Sequence, residues 1–352
     1  MSKIKIHWCL RAKDAAGGSD KNNLPSLRLR LGAAKTSQRL TISTEQLIDK
    51  NSKIIIFSKN IYQNKGDEVL LNNNLRIAEK LIKQNIPILL DYTDHYLYNE
   101  DEIPFAEKLG AKVLHQYLAT AKYYKEMVAM VDGVIVSSNA LEKSVKQHTS
   151  KPVFCIPDAI DPTPNIAKAP ELLDSRGLWY GMHSTFMFLL MSLPKLSDSL
   201  SEPIKIRCLV QKPTMDFLRS GSIKAPKVKN VSLEAEVWSM DKVIERASES
   251  NFIIVPSDKT DFRKSYASSN RLLTAFSLQR PVFATPIDSY LDFKEHFYDL
   301  DRLDFDLLQE VRDHTDDKLI AARELTRQYQ FDVVGEKWAD VFYSFLSKHG
   351  KP

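Results

Sequence analysis

Three cations cluster in the polar loop at residues 257–271, which joins an apolar strand-like run to a helix. They are Arg263, Lys264 and Arg271, and Asn270 stands with Ser268 and Ser269 at the expected start of the helix. Because a helix start presents free N–H groups and a positive dipole end, this loop predicts a site for an anion such as a nucleotide diphosphate. The alternative is that the cations are solvated or paired with Asp258 and Asp261.

A second candidate for anion contact is the segment LWYGMHST at residues 178–185. A strand that runs into Gly181 and then into a helix leaves backbone N–H groups facing outward, and glycine allows close approach by a phosphate. We therefore expect Gly181, His183 and Ser184 to contact the same anion. An ordinary turn and helix cap explains these residue types equally well.

Candidates for a general base follow the apolar run at residues 86–90. Asp94 and His95 are expected to be the exposed members at the carboxyl end of that strand, where either could take a proton from a hydroxyl group. Asp91 lies closer to the buried strand and is expected to serve the fold. The alternative for Asp94 is that it caps the following turn.

Asp20 is a further candidate base, in a loop that Gly17 and Gly18 can keep mobile. The glycine pair is not a dinucleotide fingerprint, because the G-x-G-x-x-G spacing is absent. Arg28 and Arg30 follow in the same stretch and could draw in an anionic acceptor or a donor phosphate. Ordinary surface placement of both arginines is the competing interpretation.

A metal site is not expected. The Asp-x-Asp pairs at 299–301 and 304–306 lie in a polar, helix-prone region and not at the end of an apolar strand. Cys9, Cys155 and Cys208 are odd in number and scattered, which favours buried thiols over a disulfide framework or a metal cluster. We expect no metal ion and no cofactor.

Alternating apolar and amphipathic segments indicate the elements that position these residues. Strands are predicted at residues 4–9, 53–57, 86–90, 133–136 and 152–156, and again at 177–180, 204–210, 227–231, 252–255 and 281–284. Continuous hydrophobicity is typical of parallel strands covered on both faces, so each set predicts a doubly wound α/β domain. The proline-rich stretch 157–170 is the expected linker, and residues 301–328 and 332–348 are expected to be helices. We expect one domain at 1–165 with 331–352 and another at 166–330.

Composition limits the class of protein. The chain has 352 residues, 43% hydrophobic and 27% charged, as in ordinary globular proteins. A formal net charge of +4 is too mild to indicate nucleic-acid binding. No run of about 20 apolar residues predicts a membrane span, so we expect a cytoplasmic protein with at most peripheral contact at the inner face of the membrane. The basic residues at 212–229 could touch an anionic membrane, although a solvated face is the favoured explanation of them.

Several segments occur in the order used by glycosyltransferases of the two-domain GT-B superfamily, which the chain resembles. They are ILLDYTDHYL at 88–97, VDGVIVSSNALEKSV at 131–145, VFCIPDAID at 153–161, LWYGMHST at 178–185 and the stretch 251–290. The resemblance implies two Rossmann-like domains and a final helix that crosses back to the first. It also implies metal-independent transfer of a sugar from a nucleotide-sugar, held by the second domain, to a hydroxyl of a cell-surface glycan, held by the first.

The chain departs from the best-known retaining families of this superfamily. Those enzymes carry two glutamates separated by seven residues, and the matching positions here hold Tyr266 and Thr274, while Gln279 replaces the usual glycine. This favours an inverting displacement, which needs one enzymic base. Two alternatives stay open: a nucleotide-sugar epimerase of the same architecture, and a noncatalytic nucleotide or sugar binder.

Overall fold

The computed structural model describes residues 3–9, 27–45, 48–49, 51–58, 68–103, 110–161, 163, 176–200, 202–300 and 315–348. The chain divides into two compact units. Unit 1 is Met1–Ile160, Thr260–Ser269 and Gln328–Pro352, and unit 2 is Asp161–Lys259 and Asn270–Arg327. Residues 260–269, expected in the second domain, group with unit 1.

The described residues contain twelve strands and eleven α-helices. The strands are β1 Ile4–Cys9, β2 Leu40–Ser43, β3 Ile54–Ser58, β4 Ile88–Tyr92, β5 Gly133–Val136, β6 Val153–Cys155, β7 Arg176–Gly181, β8 Ile204–Val210, β9 Val231–Val237, β10 Phe252–Val255, β11 Val282–Ala284 and β12 Tyr298–Asp299. The helices are α1 Gly32–Thr36, α2 Glu68–Lys83, α3 Ala111–Met130, α4 Asn139–Lys146, α5 His183–Ser199, α6 Lys212–Arg219, α7 Met240–Ser248, α8 Phe262–Ser265, α9 Asn270–Ser277, α10 Thr315–Thr326 and α11 Phe331–Lys348.

Each unit is built on a six-stranded sheet in which neighbouring strands are parallel. The strand order is β2-β1-β3-β4-β5-β6 in unit 1 and β12-β11-β10-β7-β8-β9 in unit 2. Strands such as β3, β4, β5 and β10 are buried along their whole length, because helices cover both faces of each sheet. The predicted doubly wound α/β class is confirmed for both halves.

Three of the four edge strands, β2, β9 and β12, differ from the sequence prediction. A strand was expected at 227–231, but β9 begins at Val231 and continues to Val237. Glu234 and Glu236 alternate with less polar residues on this edge strand, so it lacks the continuous apolar run of a central strand. The short edge strands β2 and β12 were missed for a related reason, since one has four residues and the other two.

Helix α11 returns to unit 1, as predicted. Trp338 lies 5.0 Å from Trp8, ring centroid to ring centroid, and Phe342 is fully buried in the same apolar cluster. Gly335 lets α11 approach α1 closely, because a Cβ at this position would lie 2.5 Å from the carbonyl oxygen of Ala33. The apolar stripe of the last helix therefore completes one face of the unit 1 sheet.

No helix among the described residues is long and apolar enough to cross a membrane.

Gln279, two residues after helix α9 ends at Ser277, adopts the left-handed conformation, with φ of 53°. A side chain is disfavoured there, so Gln279→Gly is expected to raise the free energy of unfolding by about 0.5 to 1 kcal/mol in urea unfolding. Gln147 also ends a helix but has φ of −75°, so Gln147→Gly is the matched control and is expected to destabilise. Equal effects of the two substitutions would contradict the conformational explanation.

Candidate functional site

The strand order of unit 2 places a switch point between β7 and β10. From β7 the chain winds outward through β8 to β9, then returns to pair β10 on the other side of β7. In doubly wound sheets, ligands collect at the carboxyl ends of the two strands that flank such a point. The candidate site of unit 2 is therefore formed by the residues that follow β7 and β10.

Arg271 occupies this switch point. Its Nη2 donates to the carbonyl oxygen of Pro256, directly after β10, at 2.8 Å, and its own carbonyl accepts from the Tyr180 hydroxyl of β7 at 2.9 Å. The other terminal nitrogen, Nη1, is buried and has no hydrogen-bond partner in the part of the chain that the structure describes. No carboxylate pairs with Arg271 within those ranges. The side chain therefore carries a charge and a donor that the described protein does not satisfy.

The segment after β7 presents the start of helix α5. The helix begins at His183, after Met182, and no side chain caps its first turn. Gly181 is required for packing, since a Cβ there would lie 2.5 Å from Thr185 Oγ1 and 2.9 Å from the Trp179 ring. His183 and Ser184 are exposed in this first turn, and His183 Nδ1 lies 3.4 Å from Thr214 Oγ1. Backbone N–H groups of this turn can donate hydrogen bonds to a bound anion.

The expected cation cluster of residues 257–271 is split in the structure. Asn270 and Arg271 open helix α9 in unit 2, whereas Arg263 and Lys264 lie on α8 in unit 1. The side chain of Lys264 lies outside the described residues.

Arg263 is already neutralised. Its Nε and Nη2 donate to the two oxygens of Asp261 at 2.9 and 2.8 Å, and its guanidinium lies 4.7 Å above the Tyr117 ring, whose hydroxyl accepts from Nη1. Burial lowers the pKa of Arg263, but the Asp261 hydrogen bond and charge outweigh burial and raise it. Arg263 therefore forms an ion pair within residues 260–269 and links that segment to the rest of unit 1 through Tyr117, while its expected donor role stays a prediction.

Arg30 is also placed differently from the expectation of a surface cation. It is fully buried, with Nε donating to Asp91 Oδ1 at 2.8 Å and Nη1 to Asp158 Oδ1 at 3.0 Å. Nη1 also donates to the carbonyl of Ile156 at 2.6 Å, and the guanidinium lies 4.9 Å from the Trp338 ring centroid. Arg30 thus joins the carboxyl end of β4 to the segment after β6. Arg28 is half-buried, and burial lowers its pKa.

The base candidates lie after β4 in unit 1. Asp94 is half-buried, and its Oδ2 accepts from the Tyr96 hydroxyl at 3.2 Å. Contrary to the expectation of exposure, His95 is buried, with its ring 5.0 Å from that of Tyr266 and its Nδ1 3.4 Å from Ser144 Oγ. Asp91 is buried on Arg30, in agreement with its expected structural role. Asp20 lies outside the described residues.

Burial, and secondarily the charge of His148, lower the pKa of His95 to about 4. The folded protein therefore binds fewer protons at this position than the unfolded chain between about pH 4 and 6.5, and folding stability is lost as the pH falls through that range. Wild-type protein is expected to lose about 2 kcal/mol more stability than His95→Gln between pH 7 and pH 5, measured by urea unfolding. Parallel pH dependence in the two proteins would contradict a buried neutral imidazole.

Two contributors were missed from the sequence. Tyr180 positions the backbone of Arg271, and Thr214, fully buried at the start of α6, contacts His183. A tyrosine next to Gly181 at the end of a predicted strand was the available signal for the first; nothing local distinguished the second. No group of three or more His, Cys, Asp or Glu residues in the described ranges could hold a metal ion.

No protein-family model matches the sequence, and no curated protein sequence matches it. Among solved structures, an α-glucosyltransferase in complex with UDP and a 13-mer DNA is 13% identical, with a TM-score of 0.51 and coverage of 95% of this chain and 100% of that chain. A putative UDP-N-acetylglucosamine 2-epimerase from Listeria monocytogenes is 10% identical, with a TM-score of 0.51 and coverage of 100% and 99%.

TarM is 15% identical with a TM-score of 0.48, and the match covers 82% of this chain. The chain spans about half of TarM, since the match covers 54% of that protein. The matches to the glucosyltransferase and the epimerase extend over nearly all of both chains. With two parallel six-stranded sheets and a final helix that returns to unit 1, the chain has the GT-B fold of two Rossmann-like domains.

Proposed function

We propose that this protein is a glycosyltransferase that takes a sugar from a nucleotide-sugar bound by unit 2 and transfers it to a hydroxyl of a cell-surface glycan bound by unit 1. The observation that carries the proposal is Arg271. Its guanidinium lies at the switch point of the unit 2 sheet, with Nη1 buried and unpartnered within the described residues. An unpaired, partly buried cation is costly, and a bound phosphate would relieve that cost.

The same arrangement suits the chemistry of glycosyl transfer. When the bond between sugar and phosphate breaks, negative charge develops on the diphosphate leaving group. A fixed guanidinium and the free N–H groups of a helix start stabilise that charge without a metal ion. We propose that Arg271, Asn270 and the first turn of α5 at Gly181, His183 and Ser184 fill these roles, and that the reaction is metal-independent and inverting.

The acceptor hydroxyl then needs one base. Asp94 is the better candidate, because it is half-buried, whereas His95 is 5% exposed. A pKa of about 4 gives the His95 imidazole no advantage in basicity over a carboxylate. A glycan acceptor is proposed in preference to nucleic acid, because the formal net charge of the chain is only +4. One structurally similar glucosyltransferase was nevertheless solved with DNA, so DNA belongs in the acceptor screen.

A thermal-shift screen of nucleoside mono- and diphosphates in EDTA tests donor binding. A ligand present at 100 times its dissociation constant stabilises the protein by about 2.7 kcal/mol. We expect one nucleoside diphosphate to give the largest increase in the melting temperature. We also expect the corresponding nucleotide-sugar to be converted to that nucleoside diphosphate when an acceptor is added. Conversion of the nucleotide-sugar to an isomer without release would favour an epimerase, and binding without turnover would favour a noncatalytic binder.

Arg271→Ala is expected to weaken binding of that nucleoside diphosphate by about 1.5 to 3 kcal/mol, since a charged hydrogen bond to phosphate is lost. The matched control is Arg219→Ala, an exposed arginine of unit 2 on helix α6. Calorimetric titration should show an unchanged dissociation constant for the control. Equal affinity of Arg271→Ala and wild type, with both folded, would remove Arg271 from the donor site.

A further inference from the structure

Helix α5 of unit 2 has an apolar face exposed to solvent. Its sequence from Thr185 to Leu193 is apolar nearly all round, as is usual for a helix that is covered on every side. Phe186, Leu189 and Leu193 are buried in the unit 2 core, but Met187 is 40% and Met191 68% exposed, with Phe188 half-buried beside them. Met187 and Met191 are four residues apart and therefore share one side of the helix.

A cationic segment, residues 211–233, runs beside this face. At the start of α5, Thr214 Oγ1 lies 3.4 Å from His183 Nδ1, and Phe217, 45% exposed, has its ring 5.6 Å from the His183 ring. At the other end of α5, the side chain of Asn230 donates to the carbonyl of Leu200 at 2.6 Å. The segment thus contacts α5 at both ends, and Met187 and Met191 follow His183 at spacings of four residues on the side of the helix that meets Phe217.

The charge of this segment is unbalanced. It holds five basic residues, Lys212, Arg219, Lys224, Lys227 and Lys229, and one acidic residue, Asp216, which gives a net charge of +4. The whole chain also carries +4, so the remaining residues are neutral in sum. Asp216 pairs with Lys212 at 3.0 Å, and the other four cations are exposed and make no ion pair within the described ranges.

We propose that the exposed face of α5 and the cationic segment form a surface that docks unit 2 onto an anionic lipid membrane. Exposed methionine and phenylalanine side chains can enter the boundary between headgroups and acyl chains, while lysine and arginine remain among anionic headgroups. A second copy of the chain fits less well, because it would bring another +4 segment against this one. Duplex DNA would match the positive charges but would make no apolar contact with Met187 and Met191.

Sedimentation with lipid vesicles tests the proposal. The full-length protein is expected to bind vesicles of phosphatidylcholine mixed with phosphatidylglycerol, and not vesicles of phosphatidylcholine alone. Added salt should weaken this binding, because exposed charges are screened. Absence of binding at low ionic strength, or equal binding to both kinds of vesicle, would overturn the proposal.

Two variants separate the parts of the surface. The triple variant K224Q/K227Q/K229Q is expected to lower the vesicle partition coefficient by about 100-fold, and M187S/M191S by about tenfold. The matched control K80Q/K83Q/K143Q removes three exposed lysines of unit 1 and should bind vesicles like wild type. All variants change exposed side chains, and an unchanged midpoint of thermal unfolding would show that each is folded.

Other occupants give distinct results, each of which would overturn the proposal. A concentration-dependent dimer that M187S/M191S abolishes would assign the face to a second copy. Binding to duplex DNA that exceeds vesicle binding and depends on the lysines alone would assign the segment to nucleic acid. The proposal does not depend on the donor site, so loss of vesicle binding with nucleotide binding intact would leave the proposed function standing.

Discussion

Asp94→Asn is expected to lower turnover by roughly 100-fold to 10,000-fold while nucleotide affinity stays nearly unchanged. The amide cannot take the proton from the hydroxyl of the acceptor substrate, but it keeps the shape of the carboxylate. It can also still contact the Tyr96 hydroxyl, which lies 3.2 Å from Asp94 Oδ2 in the wild-type protein. Steady-state rates with the identified donor and acceptor, set beside calorimetric affinities, measure the two effects separately.

The matched control for this prediction is Asp101→Asn, which changes an exposed carboxylate in the short helix Glu100–Glu102 of the same connection. It is expected to keep normal turnover. Near-normal turnover of Asp94→Asn, together with loss in His95→Gln or Asp20→Asn, would move the base to the imidazole or to the glycine-containing loop. Loss in Asp94→Asn, His95→Gln and Asp101→Asn together would indicate that the connection after β4 as a whole was disturbed.

Arg30→Met is expected to lower the free energy of unfolding by about 3 to 5 kcal/mol. The substitution leaves the buried carboxylates of Asp91 and Asp158 without their cation, and an uncompensated buried charge is costly. Burial alone would lower the pKa of Arg30, yet the two carboxylates outweigh burial and raise it, which is the sign of a stabilised cation. Urea unfolding of unit 1 measures the loss.

A surface arginine of the same unit provides the control. Arg39 pairs with Glu336 and Asp340 on helix α11, but all three side chains are exposed, so Arg39→Met should cost much less. Adding Asp91→Asn to Arg30→Met should restore part of the lost stability, because one of the two stranded charges is removed. No recovery in that double variant would indicate that lost packing against Trp338, rather than charge, causes the effect.

The alternation of strands and helices could be predicted because it depends on local hydrophobicity. Central strands such as β4 and β10 are continuous apolar runs. The apolar residues on one side of helix α11 predicted that this helix packs against another element. The edge strand β9 carries Glu234 and Glu236 and is stabilised by pairing with β8, which no local sequence pattern indicates.

The sequence offered pairing with Asp261 as one alternative for the loop cations, but long-range partners of charged side chains could not be predicted, because they lie far apart in sequence. Arg30 meets Asp91 and Asp158 across 61 and 128 positions, and Arg263 meets Tyr117 across 146. From sequence alone, Arg263 and Arg271 were equivalent cations in one loop. The fold separates them, since Asp261 neutralises the first and the second is left at the switch point with an unpartnered Nη1.

Gln279 stands at a position where glycine is usual in the families that this chain resembles. The sequence showed the replacement but not its backbone, which remains left-handed with φ of 53°. Tyr266, at the position of a missing glutamate, packs on His95 and provides no carboxylate. Under the proposed function, recognition of the sugar would have to be rebuilt at these positions, because the side-chain chemistry changes while the fold persists.

The proposed role of Arg271 can be tested by a crystal structure with the nucleoside diphosphate that gives the largest thermal shift. We expect a phosphate oxygen within about 2.7 to 2.9 Å of Arg271 Nη1, with a second phosphate contact to the backbone N–H groups at the start of α5. A diphosphate bound elsewhere, with Arg271 Nη1 still facing no anion, would contradict it.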